Sequence, residues 1–450
     1  MRSFAQVPSR SARIGKGAVV AAVAVSTLTC RPAFATLYTL KDAVELSLKH
    51  NFNVAVAEGD LAGARADVTG ARSVFFPNLS VNGSWNYSEP EIFFNSDLGV
   101  FTRAPNESWF GSANANLLLF DGLGNVARYK QAKNRRSAEQ SEFLKAKQDV
   151  AYETELRYLD VLKKEYLLKV QQEAVHLSEE QLKKTRAMKD LGASTQADVF
   201  KAEVDFSNNR LAALQAERDL NVARASLANY IGLDPREPIE VQDEGPPADF
   251  SNDPAAAAAK ALEIHPSLLA ARSSVKSSKQ GVKLAKSDRW PSLSLYGNIN
   301  YSDIFDLDKP TDENTQWSYG ARMSFTIFDG LLTKSNINRA QANLVTQERF
   351  AESEQRDVLL GVQEAVLDSE LARQSVDVAR EAVKSSEEDL RLAEERYKVG
   401  EGTILEVIDA QVNLTRSKTN LVNAAADHRL SVSRLRNAVG DMPVPELNGE

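Results

Sequence analysis

The chain has 450 residues, of which 43% are hydrophobic and 26% charged, and its formal net charge is −8. This acidic balance argues against nucleic acid or an anionic membrane surface as a partner. The single cysteine, Cys30, excludes a disulfide framework, and the four scattered histidines lack the spacing of metal ligands. We therefore expect no metal and no other cofactor.

Residues 1–35 are predicted to be a secretory signal peptide. Basic residues precede the apolar stretch GAVVAAVAVSTLTC, and Ala33-Phe34-Ala35 has the form of a cleavage site. A lipoprotein signal ending at Cys30 is the less favoured alternative. Beyond the signal, no run approaches the ~20 apolar residues of a membrane-spanning helix. If the exported chain enters a membrane, it does so as strands.

The mature chain is predicted to contain two repeats. The tripeptide FDG at 120–122 recurs at 328–330, an offset of 208 residues that also relates Gly192 to Gly400. Each repeat is expected to contain a helix, a β-hairpin and a long helical hairpin. The predicted division is a first repeat (36–232), a proline-rich equatorial linker (233–255), a second repeat (256–440) and a C-terminal tail (441–450).

Each hairpin is predicted from alternating apolar and polar residues. The four predicted strands are 78–88, 112–119, 292–302 and 320–327, joined by polar loops at about 89–107 and 303–315. A half-buried soluble sheet would alternate in the same way. The aromatic residues favour membrane strands, because all four tryptophans fall in these hairpins, as a membrane aromatic belt would require: Trp85, Trp109, Trp290 and Trp317.

Four strands cannot close a barrel on their own. An open sheet edge in lipid leaves backbone groups unpaired at several kcal/mol each, and barrels need about eight strands or more. The chain is therefore predicted to oligomerise in order to insert.

The helical parts are predicted from stretches without glycine or proline. Residues 125–191 allow a helix of 67 residues, and the copy spans roughly 331–399. The return segments 193–231 and 403–439 are shorter, and we expect helices at 52–74 and 266–288 to stack end to end on them. Narrow apolar seams predict coiled-coil packing.

Several segments together resemble the TolC-like outer membrane efflux proteins across essentially the whole mature chain. They are LYTLKDAVELSLKHN, the paired FDG, and the turns MKDLGASTQADVFKAE and YKVGEGTILEVIDAQ. The resemblance implies a mixed fold with two internal repeats. In it, a homotrimer closes one twelve-stranded membrane β-barrel, four strands per chain, in outer-membrane lipid and continues into a long α-helical coiled-coil barrel in the periplasm.

The same resemblance implies a passive exit duct of a tripartite efflux pump or type I secretion system, opened at its periplasmic tip. The helical turns would dock a periplasmic adaptor and an inner-membrane transporter through Leu191, Gly192, Thr195, Val399, Gly400 and Thr403. The glycines also suit left-handed caps, and the threonines suit N-caps of the return helices. The same turns can therefore be helix caps and also expose the docking surface.

Glu406 and Asp409 lie three residues apart on one face of the last helix. The resemblance implies that they form the pore constriction, where three copies would gather six acids and favour cations. A solvated helix face without a role is the alternative. Tyr397 and Asp198 match a family pair that latches the tip, whereas Gly402 replaces a family arginine, so a second latch is absent or replaced.

We expect no enzyme, because the sequence lacks nucleophile–base, metalloprotease and nucleotide-binding motifs. GEG at 400–402 follows a helix, whereas phosphate loops follow strands. The alternative function is that of a soluble periplasmic coiled-coil scaffold or adaptor whose hairpins form a small sheet. The cargo is left open between drugs, metals and secreted proteins.

Overall fold

The computed structural model describes residues 36–87, 92–95, 99–103, 107–245, 253–303 and 315–445. The predicted signal peptide lies outside the described residues. The same is true of 246–252 in the predicted linker, 304–314 in the second predicted loop and 446–450 in the predicted tail. Within the described ranges the chain is mostly helical.

Two helices of 67 residues dominate the fold, as their freedom from breakers predicts. The return helices have 35 and 36 residues, and two further helices of 22 residues precede the strands. The helices are α1 Leu40–His50, α2 Phe52–Ser73, α3 Gly124–Asp190, α4 Gln196–Tyr230, α5 Pro254–Ile264, α6 Pro266–Ser287, α7 Leu332–Lys398 and α8 Ile404–Val439.

The predicted end-to-end stacking of short helices on return helices is confirmed at two junctions. Gly232 follows α4 with a φ of +83°, and a Cβ built on it would lie 2.6 Å from His50 Cβ, just before α2 begins. Gly440 ends α8 with a φ of +79°, and its Cβ would lie 2.9 Å from His265 Cα, just before α6 begins. Only glycine allows both the left-handed backbone and this close approach.

Four strands form one antiparallel sheet. They are four of the eight strands in the described residues: β1 Thr36–Tyr38, β2 Asn78–Tyr87, β3 Ile92–Asn95, β4 Val100–Arg103, β5 Glu107–Asp121, β6 Ile239–Val241, β7 Ser292–Asp303 and β8 Thr315–Ser324. The sheet order is β2-β5-β7-β8, so the two hairpins join through β5 and β7. Among the described strands, the outer edges of β2 and β8 have no partner, and every residue of β2 is exposed.

Two strand predictions need correction near the helix end of the sheet. The β5–β7 register shifts between Leu118 and Phe120, so Leu119 is bulged and does not continue the apolar alternation. The last strand was predicted to reach 327, but β8 ends at Ser324. Ser324 pairs with Ser292, so the next residue would face Pro291, which has no N–H to donate.

Two further elements fall in segments predicted to be irregular. The first predicted polar loop contains a short hairpin, β3 paired with β4. The predicted linker contains β6, which pairs in parallel with β1, the first strand of the described residues, with Thr36 opposite Ile239. A strand of three residues is too short to show an alternating pattern of apolar and polar residues in the sequence. The two partners of this pair are also about 200 residues apart in sequence.

The strand-to-helix junctions are built by the FDG tripeptides. Asp121 Oδ2 accepts a hydrogen bond from Asn125 N at 2.7 Å, and Asp329 Oδ2 accepts one from Thr333 N at the same distance. The residues after the glycines, Leu123 and Leu331, have left-handed φ values of 68° and 73°. Each aspartate therefore caps the first turn of a long helix and offsets part of this backbone strain.

The core follows narrow seams, as predicted for coiled coils. On α3 the buried residues recur at spacings of three and four: Ala151, Thr154, Tyr158 and Val161, then Ala174, Ser178, Gln181 and Thr185. One cluster packs Tyr158 and Val161 against Leu227 and Ile231 and beneath the β1–β6 pair. The helices are thus joined by seams rather than by a broad globular core.

Tyr158 connects this cluster to the β1–β6 pair. Its hydroxyl donates toward the carbonyl oxygens of Tyr38 and Gln242, at 3.0 and 2.6 Å, while the residue is 2% exposed. Burial raises the pKa of Tyr158 to about 12, because the phenolate would be poorly solvated.

We expect Tyr158→Phe to reduce the alkaline loss of stability. The folded-state pKa exceeds the ordinary value of 10.0, so the stability from this group is complete below pH 10 and is lost as pH rises towards 12. Thermal unfolding in detergent between pH 8 and pH 11 should give a shallower decline for the variant. At pH 8 the variant should lose ~1 kcal/mol with its hydrogen bond. Parallel pH profiles would contradict the prediction.

Candidate functional site

The first helical turn, between α3 and α4, is closed by two kinds of cap. Gly192 has a φ of +76°, and Ala193 N donates to the carbonyl of Met188 at 2.8 Å. Thr195 Oγ1 accepts from Asp198 N at 3.1 Å, and the Asp198 carboxylate accepts from Thr195 N at 3.2 Å, which completes a capping box. The predicted glycine and threonine caps are confirmed here.

The second turn, between α7 and α8, begins in the same way. Gly400 has a φ of +81°, and Thr403 Oγ1 accepts from Glu406 N at 3.3 Å. Glu406 is one methylene longer than the aspartate of the first turn and does not complete a capping box. Instead, Glu406 Oε2 lies 3.2 Å from Arg396 Nη1 at the end of α7.

Both turns present an exposed apolar residue. Leu191 is 85% exposed and Val399 71% exposed. A Cβ built on Gly192 or Gly400 would meet nothing within 4 Å. The two turns therefore offer bare backbone and an apolar side chain to whatever approaches this end of the molecule.

The two predicted constriction acids differ in their surroundings. The Glu406 carboxylate is paired with Arg396, an ion pair whose partly exposed side chains limit its contribution to ~0.2–1 kcal/mol. Asp409 is exposed and makes no ion pair with the described part of the chain. Arg396 was not among the predicted site residues, although a cation at the end of α7 close to an acid at the start of α8 was a usable signal.

The predicted latch residues are not joined within one chain. The Tyr397 hydroxyl is buried, and it has no hydrogen-bond partner among the described residues. Asp198 is engaged by its own turn and by Lys201 Nζ at 3.6 Å. The hydrogen bond from Thr195 lowers the pKa of Asp198, which keeps its carboxylate charged.

The aromatic residues gather at the two ends of the sheet. The loop-end belt contains Trp85, Tyr87, Trp109, Trp317 and Tyr319, with ring centroids 6.1 Å apart for Trp85 and Trp109 and 5.7 Å apart for the stacked Trp317 and Tyr319. The helix-end belt contains Phe75, Phe76, Phe120, Trp290 and Phe328. All ten side chains are exposed.

The separation of the belts matches a bilayer. The nine residue-to-residue steps from Phe76 to Trp85 span ~30 Å if the chain is extended. The hydrocarbon core of a membrane is also ~30 Å thick, and the apolar band of a tilted barrel is ~25 Å tall. Between the belts, Leu79, Val81 and Ile299 are exposed on one face of the sheet, with Asn82 and Ser112 at alternate positions.

No helix in the described ranges is both long and apolar enough to cross a membrane. In the same ranges, no three histidine, cysteine or carboxylate side chains come together as metal ligands would.

The two-part helical architecture has a counterpart among known families. The family model described as "Outer membrane efflux protein" matches residues 43–233 and 257–441. The chain belongs to this family. It is 27% identical to the outer membrane efflux protein BepC of Brucella suis over 442 residues, 96% of this chain and 92% of that protein. It is 26% identical to the outer membrane protein TolC of Vibrio cholerae, over 83% of this chain and 84% of that protein.

Solved structures of outer membrane channels have a similar fold. The outer membrane protein VceC of Vibrio cholerae aligns with a TM-score of 0.79 at 18% identity, covering 89% of this chain and 96% of that one. The outer-membrane channel OprN aligns with a TM-score of 0.77 at 18% identity, covering 89% of this chain and 90% of that one. The predicted resemblance is therefore confirmed at the level of the family.

Proposed function

We propose that this outer membrane efflux protein is a homotrimeric channel of the cell outer membrane. Four strands from each copy close one twelve-stranded barrel, and the helices form a tunnel that extends into the periplasm. The observation that carries this proposal is a four-stranded sheet with exposed faces, two unpaired edges and aromatic belts one bilayer apart.

The sheet explains why one chain is not enough. Its apolar face has no covering layer in the described chain, and Val81 is 84% exposed. Water penalises such a face, whereas lipid favours it. Lipid in turn penalises the unpaired edges of β2 and β8 by several kcal/mol for each unpaired group. When several copies close into one barrel, the backbone groups at the edges of β2 and β8 gain hydrogen-bond partners, and the apolar face contacts lipid.

The channel would serve as the passive exit duct of a tripartite efflux pump or type I secretion system. The exposed turns around Leu191, Gly192 and Thr195, and around Val399, Gly400 and Thr403, would dock the periplasmic adaptor and so couple to the inner-membrane transporter. Their open backbone and projecting apolar side chains support this role.

The constriction and the latch are proposed at the same end. Three copies of Glu406 and Asp409 would surround the pore and favour cations. The buried Tyr397 hydroxyl, which lacks a partner within the described chain, would complete a latch with Asp198 once the copies assemble.

Two matched substitutions on β2 test the membrane channel. Val81→Arg places a charge on the apolar face midway between the belts, where a barrel loses ~2–4 kcal/mol. Asn82→Arg adds the same charge on the opposite face. We expect the first variant, but not the second, to fail to appear as heat-labile oligomers in detergent extracts of the outer membrane.

The alternative function, a soluble periplasmic scaffold, predicts a different result for these two variants. In a soluble protein whose sheet stayed uncovered as in this structure, both positions would face water, so both arginines would be tolerated equally. Recovery of the folded wild-type protein in the soluble periplasm without detergent would overturn the channel proposal.

A further inference from the structure

Arg396 reaches from the end of α7 across the second turn to the start of α8. Its Nη1 lies 3.2 Å from Glu406 Oε2, and its Nη2 donates to the carbonyl oxygen of Glu401 at 3.2 Å. Its own carbonyl oxygen accepts from Glu401 N at 2.9 Å and from Gly402 N at 3.1 Å. One residue thus holds the turn through its backbone and the acid through its side chain.

The absence of a side chain at Gly402 leaves room for the end of α7, where Arg396 lies. A Cβ at position 402 would lie 3.1 Å from Tyr397 N and 3.2 Å from Arg396 Cβ. These distances are shorter than ordinary van der Waals contacts, so a side chain there would displace the end of α7. The turn therefore receives its cation from Arg396 and not from position 402.

The first turn has no cation at the corresponding position, and the arginine near the end of α3, Arg186, pairs instead with Glu203 Oε1 at 2.7 Å, further along α4. The offset of 208 residues places Met188 at the position of Arg396 and Asp198 at the position of Glu406. The carboxylate of Asp198 accepts hydrogen bonds within its own capping box, and Lys201 on the same helix is its ion-pair partner. Only the second turn combines an acid predicted to face the pore with an arginine from the preceding helix.

We propose that Arg396 determines the ion selectivity of the channel tip by neutralising Glu406, so that Asp409 supplies the unpaired negative charge. This inference rests on the channel proposed above. It gives the group formed by Arg396, Glu406 and Asp409 one net negative charge per chain, instead of the two that the two acids alone would give. Arg396 is a positioning residue, because it acts through Glu406.

A cycle of charge-removing variants in planar bilayers tests the proposal. Arg396→Gln frees Glu406 and should raise the cation-to-anion permeability ratio about tenfold, because one unit charge at ~6 Å in water favours the cation about threefold and disfavours the anion about threefold. Glu406→Gln frees Arg396 and should lower the ratio by a similar factor. The double variant has the same net tip charge as the wild type, and its ratio should return towards the wild-type value. The differences should shrink between 0.1 M and 1 M salt as screening increases.

Arg373→Gln is the matched control. Arg373 is also 57% exposed, also pairs with a 41% exposed glutamate, Glu370, and lies on the same helix ~35 Å from Arg396. The Arg373→Gln variant should leave the cation-to-anion permeability ratio unchanged. Arg396→Lys, which keeps the charge, should stay close to the wild type.

The outcomes separate the two proposals. If the wild-type protein forms no channels, the proposed function is wrong. If channels form but Arg396→Gln does not raise the ratio, or the double variant does not reverse the effect of either single change, the role of Arg396 is overturned.

Discussion

Gly122→Ala should destabilise the protein far more than Gly330→Ala, although both glycines belong to an FDG tripeptide and share a φ of +66°. Alanine at either position meets the same left-handed backbone strain, ~1–2 kcal/mol. At Gly122, however, the new Cβ would lie 2.6 Å from both Ser287 O and Trp290 Cβ. At Gly330 it would meet nothing within 4 Å.

The difference between the two variants therefore isolates a steric effect. The contacts of Gly122 involve the backbone at the end of α6 and the start of the Trp290 side chain, neither of which can rotate away. Forced overpacking of this kind costs typically 1–3 kcal/mol or more beyond the strain. Thermal unfolding of the purified protein in detergent and its yield in the outer membrane measure the effect. Equal melting temperatures for the two variants would contradict the packing at this junction.

The double variant Glu406→Ala with Asp409→Ala should lose cation selectivity. A unit charge at ~6 Å in bulk water changes the cation-to-anion permeability ratio about tenfold, so removing both acids should lower this ratio by at least that factor. Block by multivalent cations should weaken in parallel, because the ring that binds them is gone. Since Arg396 then lacks its partner, the remaining preference should shift towards anions.

The control for this variant removes two acids elsewhere on the second helical hairpin. Asp377 and Glu381 are exposed on α7, ~30 Å from the turn, so their replacement by alanine changes the net charge equally. Reversal potentials in a salt gradient should move for the tip variant and stay in place for this control. Unchanged selectivity in the tip variant would leave Glu406 and Asp409 as a solvated helix face.

The long helices were predictable because their signal is local and redundant. The absence of glycine and proline over 125–191 predicted a long helix, and the observed helix runs from Gly124 to Asp190. The caps at Thr195 and Thr403 were predictable for the same reason, since each depends on residues within one turn.

Features that depend on distant partners could not be predicted. The β1–β6 pair joins two three-residue strands far apart in sequence. The bulge at Leu119 was hidden because three leucines precede Phe120, so the apolar face has no visible break. Arg396 is an intermediate case, because a cation shortly before the turn and an acid shortly after it are visible in the sequence, whereas their contact depends on the path of the backbone between the two helices.

The order of the sheet also limits which assemblies can exist in lipid. Any open row of copies joined edge to edge ends in one bare β2 and one bare β8, whatever the number of copies in it. A row of two chains therefore has as many unpaired strand edges as a single chain. Adding another chain removes these edges only when the row closes into a ring. In the proposed channel, stepwise growth within the membrane would leave unpaired strand edges in lipid at every stage, so we expect the ring to close before or during insertion.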